Sequence, residues 1–581
     1  MTMTMDRVTV AKALEQIACY LELRGENPFR CRAFRTAAKV IQGLNSDLPT
    51  ALDDGTLAES RGVGPATLEV VRELVASGRS SLLDELQLAV PSGLVEMLEI
   101  SGLGVAKVRQ IHTTLGIDSI PDLEEAASDG RLAALPGFGQ KTADNILKGI
   151  AFLRQSSDLR LAHHAAQEAA ALRAALESIP GVVDVVIAGE VRRAMEVVSH
   201  LVLMVVSDHP PAEIFRSLQQ LPGISEFAGR DERRMTVRLA GGLAAQVVVA
   251  TSANRGAVLV QATGSDLHLE LLEARARERG CRLAGGALWQ GNNFVSTPDE
   301  EALYRALGLA YIPPELREGG DELSRCETGT PRLIEFADLQ GLLHCHTHYS
   351  DGTPSVKELA EACRAIGYRY VGITDHSKAA AYAGGLSVTD IQRQWEEIDR
   401  VNAEYSDFRV LKGIESDILA DGSLDYSDEV LAGFDFVIAS VHSRFTLTKA
   451  EMTARIMKAM DNPWMTILGH PTGRLLLSRE AYPLDLIEVM RHAALRGVAI
   501  EINADPERLD LDWRVLRQAR DLGVTISIGS DAHTITGLRN VELGVGIARK
   551  GGLGPEEILN TRAAEQFLAF GRSRREPRLV V

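Results

Sequence analysis

The chain has 581 residues, of which 45% are hydrophobic, and its formal net charge is −17. This length and apolar content predict several globular domains, and the acidic charge argues against a surface coated with basic residues for nucleic-acid binding. Local DNA contacts are not excluded, because backbone amides and helix N-termini also bind phosphate.

The first part of the chain, to about residue 155, has the pattern of helices separated by three similar Gly-x-Gly turns. The turns contain Gly62 and Gly64, Gly102 and Gly104, and Gly137 and Gly139, and a lysine follows the last two turns at Lys107 and Lys141. Glycine permits a tight turn whose amides lie at the positive end of the next helix, which suits a DNA phosphate. One such turn is more often a plain connector, but three in register indicate helix-hairpin-helix motifs.

The middle of the chain alternates between helical and strand-like patterns. A charged, alanine-rich helix is predicted at 158–176, and an apolar run at 182–189 follows it. Further strands are predicted at 201–206, 234–239 and 244–250, with helical stretches between and after them. A stretch rich in Gly, Glu and Thr, within residues 319–338, is the predicted linker.

The last 240 or so residues contain seven apolar, strand-like runs, and most of them end at a histidine or a carboxylate. Helices are predicted after some of these runs, at 356–366 and 485–495. Seven runs predict a β/α barrel with seven strands where the common version has eight. The polar residues would then gather at the C-terminal mouth of the barrel.

Nine side chains in this region are candidate metal ligands. They are His344, His346, Asp351, His376, Glu415, His442, His470, Asp531 and His533. Residues two apart in a strand face the same way, so His344 and His346 can bind one ion, as can Asp531 and His533, while Cys345 should point away. Imidazole and carboxylate without thiolate suit manganese, zinc or iron.

This pattern resembles the PHP (polymerase and histidinol phosphatase) family of metal-dependent phosphoesterases, in which nine ligands hold three ions. The resemblance implies that His344, His346, Glu415 and Asp531 surround one ion. It implies that Glu415, His442 and His470 hold a second ion, and that Asp351, His376 and His533 hold a third. Two or three ions are therefore expected, with manganese as the expected metal and zinc or iron as alternatives.

From end to end the chain resembles the bacterial X-family DNA polymerases that carry a C-terminal PHP domain. The segments 27–35, 188–193, 263–265, 312–318 and 470–474 carry the match, together with the three Gly-x-Gly turns. The resemblance implies a multidomain fold with a helical N-terminal part, an α+β nucleotidyltransferase palm and thumb, and a C-terminal distorted (β/α)7 barrel. Its domains would be a DNA-end-binding domain at 1–90, fingers at 91–155, palm at 156–250, thumb at 251–318, linker at 319–338 and PHP barrel at 339–575.

The palm departs from this family where its chemistry lies. Nucleotidyl transfer needs two metal ions held by carboxylates, but His200, Val202 and Gln246 occupy the three positions at which the resemblance places aspartates. Glu190 replaces the serine that binds the nucleotide phosphate and would repel a triphosphate, whereas Arg193 is retained. The sequence therefore predicts a degenerate polymerase site.

Neighbouring acids leave one alternative open for the palm. Glu190, Glu196 and Asp208 can in principle hold a metal, although none of them reproduces an alternating pair of carboxylates.

Four arginines are further candidates for phosphate contacts. The resemblance implies that Arg30, Arg32 and Arg35 bind the 5′-phosphate at a DNA gap, and a solvated helix face is the alternative. Arg474, four residues after His470, can hold the scissile phosphate, because guanidinium matches phosphate bidentately, or it can pair with a barrel carboxylate.

Cysteine usage and hydropathy bear on the compartment. The 6 cysteines are scattered without paired spacing, which fits a reducing compartment and argues against a disulfide framework. No apolar run is long enough to cross a membrane, and residues 1–12 lack the apolar core of a signal peptide. A cytoplasmic, monomeric protein without membrane partners is expected.

The expected function is a metal-dependent 3′-5′ DNA exonuclease that acts in repair on gapped or 3′-end DNA without sequence preference. Two alternatives stay open at this point: a manganese-dependent gap-filling polymerase with a non-standard site, and a protein that only docks DNA. The completeness of the ligand set counts against a purely binding role. The absence of aspartate at positions 200, 202 and 246 counts against polymerisation.

Overall fold

The structure is a computed structural model that describes residues 7–42, 48–60, 62–100, 102–156 and 158–575, so the first six residues of the segment considered for a signal peptide lie outside it. The chain forms two compact units, the first ending at Ser157 and the second beginning at Asp158. All six cysteines are unpaired. Among the described residues, no helix is long and apolar enough to cross a membrane.

The first unit is helical throughout its described part. Its helices are α1 (Arg7–Leu23), α2 (Pro28–Gln42), α3 (Leu48–Asp53), α4 (Thr56–Glu59), α5 (Pro65–Ser77), α6 (Ser81–Ala89), α7 (Ser92–Glu96), α8 (Val105–Leu115), α9 (Ile120–Ser128) and α10 (Gln140–Ser156). Two apolar cores hold them together, one built around Leu14, Phe34 and Val71 and the other around Met97 and Ile111.

The three Gly-x-Gly turns share one backbone geometry at their first glycine. Gly62, Gly102 and Gly137 have φ angles of 101°, 87° and 82°, a left-handed conformation that costs glycine little and other residues more. Gly64 and Gly104 then cap the N-termini of α5 and α8 in an extended conformation. The helix-hairpin-helix prediction is confirmed.

The second unit begins with a five-stranded sheet of order β2-β4-β7-β6-β5. Its strands are β2 (Val182–Ile187), β4 (His200–Ser207), β5 (Ile224–Arg230), β6 (Arg234–Leu239) and β7 (Ala244–Ala250), with β4 and β7 parallel and the other pairs antiparallel. The short strands β1 (Arg160–Leu161) and β3 (Val197–Val198) pair separately. The accompanying helices are α11 (Ala162–Glu177), α12 (Gly189–Arg192) and α13 (Pro211–Leu218).

A small α+β region follows the five-stranded sheet. It contains α14 (Arg255–Thr263), α15 (Asp266–Glu278), the antiparallel strands β8 (Cys281–Ala284), β9 (Ala287–Gln290) and β10 (Asn293–Val295), and the helices α16 (Glu300–Ala306) and α17 (Glu322–Arg325). Helix α17 lies within the segment predicted as a linker, and Cys326 and Leu333 of that segment are buried in the core of this region. The exact division into palm, thumb and linker stays a prediction.

The chain ends in a closed barrel of seven parallel strands in sequence order, as predicted. The strands are β11 (Gly341–Cys345), β12 (Tyr370–Ile373), β13 (Arg409–Asp417), β14 (Phe436–Ser440), β15 (Ile467–Leu468), β16 (Ala499–Asn503) and β17 (Ile526–Ala532). The helices are α18 (Val356–Ile366), α19 (Val388–Glu404), α20 (Asp428–Leu431), α21 (Lys449–Met460), α22 (Leu486–Arg496), α23 (Trp513–Asp521), α24 (Val541–Lys550) and α25 (Ala564–Ser573).

Two layers of apolar side chains hold the barrel. The larger core joins the strands to the surrounding helices, with residues such as Val371 and Ile456. In the smaller core, Phe567 of α25 packs with Leu343 and Phe436 of the strands. Burial of these runs on both sides explains why the strands read as continuous apolar segments rather than alternating ones.

Candidate metal centre

The C-terminal mouth of the barrel collects polar side chains from all seven strands. Six strands place the nine predicted ligands within their last residues or in the turns that follow. The seventh, β16, contributes Glu501 and Asn503, which are buried. Among the described residues, four groups of three or more donors are close enough to share an ion, and together they contain all nine predicted ligands and no other residue.

Glu415 lies at the centre of this cluster. Its Oε1 lies 3.0 Å from Nε2 of His470 and 3.3 Å from Nε2 of His442. The same oxygen lies 3.4 Å from Nε2 of His344, and Oε2 lies 2.9 Å from Nδ1 of His376. Nε2 of His346 lies 3.7 Å from Oε2 as well. One carboxylate therefore faces five imidazoles, which is the arrangement expected of a ligand that bridges ions.

Two aspartates complete the cluster on either side of Glu415. Asp531 Oδ1 lies 3.2 Å from Nε2 of His346 and 3.4 Å from Nε2 of His344. Asp351 Oδ1 lies 3.3 Å from Nε2 of His533, 3.6 Å from Nε2 of His376 and 3.8 Å from Nδ1 of His346. The distances bring together each of the three groups that the resemblance implied.

Several donor atoms in the cluster are buried without a hydrogen-bond partner in the described part of the chain. They include Nε2 of His344, both ring nitrogens of His346, and Nδ1 of His442 and His470. A buried polar atom without a partner costs about 1–3 kcal/mol, so this many in one place are unfavourable without a ligand. Divalent cations would satisfy the atoms that face the cluster, such as Nε2 of His344 and of His346, and the donor set fits manganese, zinc or iron.

The backbone of three ligands is held in the left-handed region. His344, His470 and Asp531 have φ angles of 60°, 21° and 49°. Non-glycine residues adopt such angles at a cost of about 1–3 kcal/mol and do so mostly at functional sites. At His344 the strain accompanies a register irregularity of β11 against both of its neighbours.

Burial and neighbouring charges set the protonation of the donors. Burial alone raises the pKa of Glu415, but His442, His344 and His376 together hold it well below its ordinary value. Burial lowers the pKa of His346 to about 3, and His533 and His376 contribute. Glu415 is therefore an anion and His346 a neutral imidazole, which are the forms that coordinate metal.

Glu501 is a member of the site that the sequence pattern did not reveal. Its Oε1 lies 2.6 Å from Nδ1 of His344, and its Oε2 accepts a hydrogen bond of 2.7 Å from the backbone N–H of His470. A Cβ at Gly529 would lie 1.9 Å from Oε1 of Glu501, so only glycine lets Glu501 reach His344. The available signal was a charged residue inside the apolar run of β16.

The Glu501→Gln variant is expected to bind metal about 10- to 100-fold more weakly, because a carboxylate behind a metal-binding imidazole orients the ring and raises its basicity. Manganese titration followed by calorimetry measures the change, and circular dichroism checks the fold. Unchanged metal affinity in a folded Glu501→Gln protein would show that Glu501 does not support His344.

Arg474, the predicted phosphate ligand, makes contacts with protein groups instead. Its Nη1 donates to Asp512 Oδ2 at 2.7 Å, its Nε donates to the carbonyl of Arg508 at 3.0 Å, and its Nη2 donates to the carbonyl of Leu509. The pairing with a barrel carboxylate, the alternative weighed from the sequence, is present. Direct contact of Arg474 with a phosphate stays a prediction.

The predicted DNA contacts of the first unit lie on exposed or turn positions. Arg30, Arg32 and Arg35 are exposed on α2, where Arg30 pairs with Glu26 and Arg35 pairs with Glu22. These ion pairs are compatible both with binding of a DNA 5′-phosphate and with a solvated helix face.

The two lysines of the Gly-x-Gly turns differ in their contacts. Lys107 donates to the carbonyl of Gly102 at 3.0 Å and so closes its own turn. Lys141 is exposed near the start of α10. Lys141 is therefore the better placed of the two for a phosphate.

The three palm positions meet as the resemblance requires, although none of them carries a carboxylate. Val202 of β4 pairs in register with Gln246 of β7, and His200 begins β4 two residues earlier. Among the described residues, every group of donors that could share an ion lies in the barrel.

The remaining polar residues of the palm have other partners. Glu190 Oε2 accepts hydrogen bonds from the N–H and the hydroxyl of Ser199 at 2.6 and 2.9 Å. Arg193 donates to Glu318 at 2.9 Å and to the carbonyl of Thr263 at 2.6 Å.

Glu196, the second alternative acid, is also occupied. It is buried and accepts hydrogen bonds from Trp513 Nε1 at 3.0 Å and Arg514 Nη1 at 2.5 Å, both on α23 of the barrel. These contacts join the palm to the barrel and leave Glu196 away from any group of metal donors in the described part of the chain.

Helix-hairpin-helix turns, a nucleotidyltransferase-like sheet and a barrel with a multi-donor metal cluster together define a nucleic-acid-processing metalloenzyme. Family models match four parts of the chain: a helix-hairpin-helix domain (5–80), a SAM-like helix-hairpin-helix tandem (94–151), a DNA polymerase beta thumb (258–318) and a PHP domain (343–505).

Curated relatives extend this match. The chain is 36% identical over 570 residues to the DNA polymerase/3′-5′ exonuclease PolX of Bacillus subtilis (strain 168), covering 97% of this chain and 99% of that protein. It is 28% identical over 239 residues to a probable phosphatase of Thermoanaerobacter sp. (strain X514), covering 38% of this chain and 90% of the relative. The chain belongs to the family of X-family DNA polymerases with a C-terminal PHP domain.

Proposed function

We propose that this chain is a metal-dependent phosphodiesterase that removes nucleotides from DNA 3′ ends at its barrel, and that its palm has lost nucleotidyl transfer. The observation that supports it most is the convergence of five imidazoles on Glu415, together with buried donor atoms that have no hydrogen-bond partner among the described residues. The exonuclease named for the Bacillus subtilis relative supplies the polarity and the DNA substrate.

The side chains divide into those that would hold ions and those that would meet substrate. His344 and His346 are fully buried, whereas the side chains of Asp351 and His533 are 37% and 39% exposed. The scissile phosphate would therefore approach on the side of Asp351 and His533. Two or three bound divalent ions, with manganese expected, would supply Lewis acidity toward the phosphodiester.

The helical unit would carry the DNA. Its three turns present helix N-termini at α5, α8 and α10, which bind phosphate without reading bases. Gapped DNA or a free 3′ end would be the substrate, in the cytoplasm, and the protein would act as a monomer. The proposed division into DNA-end-binding, fingers, palm, thumb and PHP domains follows the sequence boundaries given above.

Affinity for DNA is expected to fall steeply with salt and to depend little on sequence, because phosphate contacts release counterions. If the protein neutralises about three phosphates, affinity should drop about 40-fold between 50 and 200 mM salt. Fluorescence anisotropy with two gapped duplexes of unrelated sequence measures both effects. An affinity that follows base sequence, or that ignores salt, would contradict the assignment of the turns.

The direct test of the proposed function uses end-labelled gapped DNA incubated with manganese, with and without nucleotides. Shortening from the 3′ end in both reactions is expected. Extension with nucleotides would favour the polymerase alternative. Binding without any change in length would favour a protein that only docks DNA.

A further inference from the structure

The guanidinium of Arg508 lies beside the candidate metal ligands, and its N–H groups are available to a ligand. It belongs to the loop between β16 and α23. Its Nε lies 3.6 Å from Asp531 Oδ2, beyond ordinary hydrogen-bonding distance, while Asp531 Oδ1 faces His346. In the part of the chain that the structure describes, the Arg508 side chain donates no hydrogen bond, and it is 21% exposed.

Two other arginines near this mouth, Arg474 and Arg479, are committed to protein acceptors. Arg474 bonds to Asp512 and to two carbonyls, and Arg479 donates through Nε and Nη2 to the carbonyl of Gly473. In the described part of the chain, Arg508 differs from these two in that its guanidinium donates no hydrogen bond, and its only ion pair is the 3.6 Å contact with Asp531.

The loop around Arg508 is held firmly enough to position its side chain. Asn503 and Asp510 exchange backbone hydrogen bonds across the loop, and Arg474 Nε holds the carbonyl of Arg508 at 3.0 Å. Leu509 adopts a left-handed φ of 40°. Arg474 therefore positions the loop that carries Arg508, which gives it a role without direct contact with a phosphate.

We propose that Arg508 donates hydrogen bonds to the non-bridging oxygens of the phosphate at the metal centre, a role that rests on the proposed function. Guanidinium presents parallel N–H donors that match two phosphate oxygens, and such charge-assisted bonds are stronger than neutral ones. A phosphodiester at the mouth would give the unused donors of Arg508 their acceptors. Arg508 would then favour phosphate over other ligands of the ions.

A purely structural role makes a different prediction. If Arg508 served only to balance the charge of Asp531, its removal would disturb the metal ligands rather than the phosphate. If Arg508 instead binds phosphate, removing its positive charge should leave the affinity for manganese unchanged or raise it.

The test titrates inorganic phosphate into the manganese-loaded full chain by calorimetry, for wild type, Arg508→Gln and Arg508→Lys. Loss of charge-assisted bonds should weaken phosphate binding about 10- to 100-fold in Arg508→Gln. Arg508→Lys should fall between, because lysine keeps the charge but not the paired donors. Manganese content, measured by mass spectrometry, should not fall in either variant.

Arg539→Gln is the matched control, since Arg539 is 76% exposed and pairs with Glu542 of the adjoining helix. It loses the same charge and should bind phosphate as wild type does. The same variants are assayed for cleavage of gapped DNA, where kcat/KM of Arg508→Gln should fall while that of Arg539→Gln should not.

The outcomes separate this inference from the function on which it rests. Wild type that cleaves DNA, with Arg508→Gln matching it in phosphate affinity and cleavage, would overturn the role of Arg508 alone. Loss of manganese from Arg508→Gln would also overturn it, in favour of a structural role. Manganese-loaded wild type that neither cleaves DNA nor binds phosphate would overturn both.

Discussion

Replacing His344 or Glu415 by alanine should lower the rate of DNA cleavage at least about a thousandfold, equivalent to about 4 kcal/mol of transition-state stabilisation. Glu415 faces five imidazoles, so its loss removes a donor common to several of the candidate ion positions. His344 contacts Glu415 and Asp531 at 3.4 Å each. DNA affinity should stay unchanged, because the helical unit is expected to bind the DNA.

Two substitutions in the same barrel control for this experiment. Glu429→Ala removes an exposed carboxylate of α20, and His492→Ala removes a histidine that pairs with Asp461 on the outside of the barrel. Both should cleave DNA at the wild-type rate. Cleavage that survives in a purified His344→Ala, Glu415→Ala double variant would refute the assignment of the centre.

Templated extension by the His344→Ala protein should be absent or orders of magnitude slower than an intact polymerase site allows. This variant removes the nuclease that would mask synthesis. His200, Val202 and Gln246 offer no carboxylate, and the loss of a catalytic metal forfeits several kcal/mol of transition-state stabilisation. Primer extension on gapped DNA with manganese and all four nucleotides measures it.

Robust extension would mean that other acids have taken over the metals of the palm. Glu190 and Glu196 would be the first to test, although both are engaged by hydrogen bonds. Restoring aspartate at 200, 202 and 246 together should rescue little. Glu190 would still occupy the position at which the resemblance places the serine that binds the nucleotide phosphate.

The sequence predicted the candidate metal site best, because each metal donor lies at or just after the C-terminal end of a strand. The nine metal donors follow strand ends, and parallel strands bring those ends to one mouth, so the cluster could be predicted before its geometry was seen. The helix after β11 was predicted at its observed bounds, Val356–Ile366, because its apolar spacing is regular. The seven-stranded closure followed from counting apolar runs.

The sequence was least informative where a residue depends on contacts from distant segments. Strand β5 was missed because nearly all of its side chains are exposed and leave no apolar run. The predicted helix at 158–176 begins only at Ala162, because Arg160 and Leu161 pair as a strand with β3.

Within the site, two features also depended on distant contacts. The left-handed backbone of His344 accompanies a register irregularity that periodicity does not encode. The contact between Glu501 and His344 requires Gly529, a glycine of another strand.

A crystal of the full chain soaked with manganese and a nucleotide tests the central claim most directly. Two or three manganese ions are expected at the barrel mouth, with ligand distances of about 2.0–2.3 Å to the nine residues. Glu415 should bridge two of the ions, and the palm strands β4 and β7 should bind none. Ions held at the palm, with His344, His346 and Asp531 turned away from one another, would contradict the account.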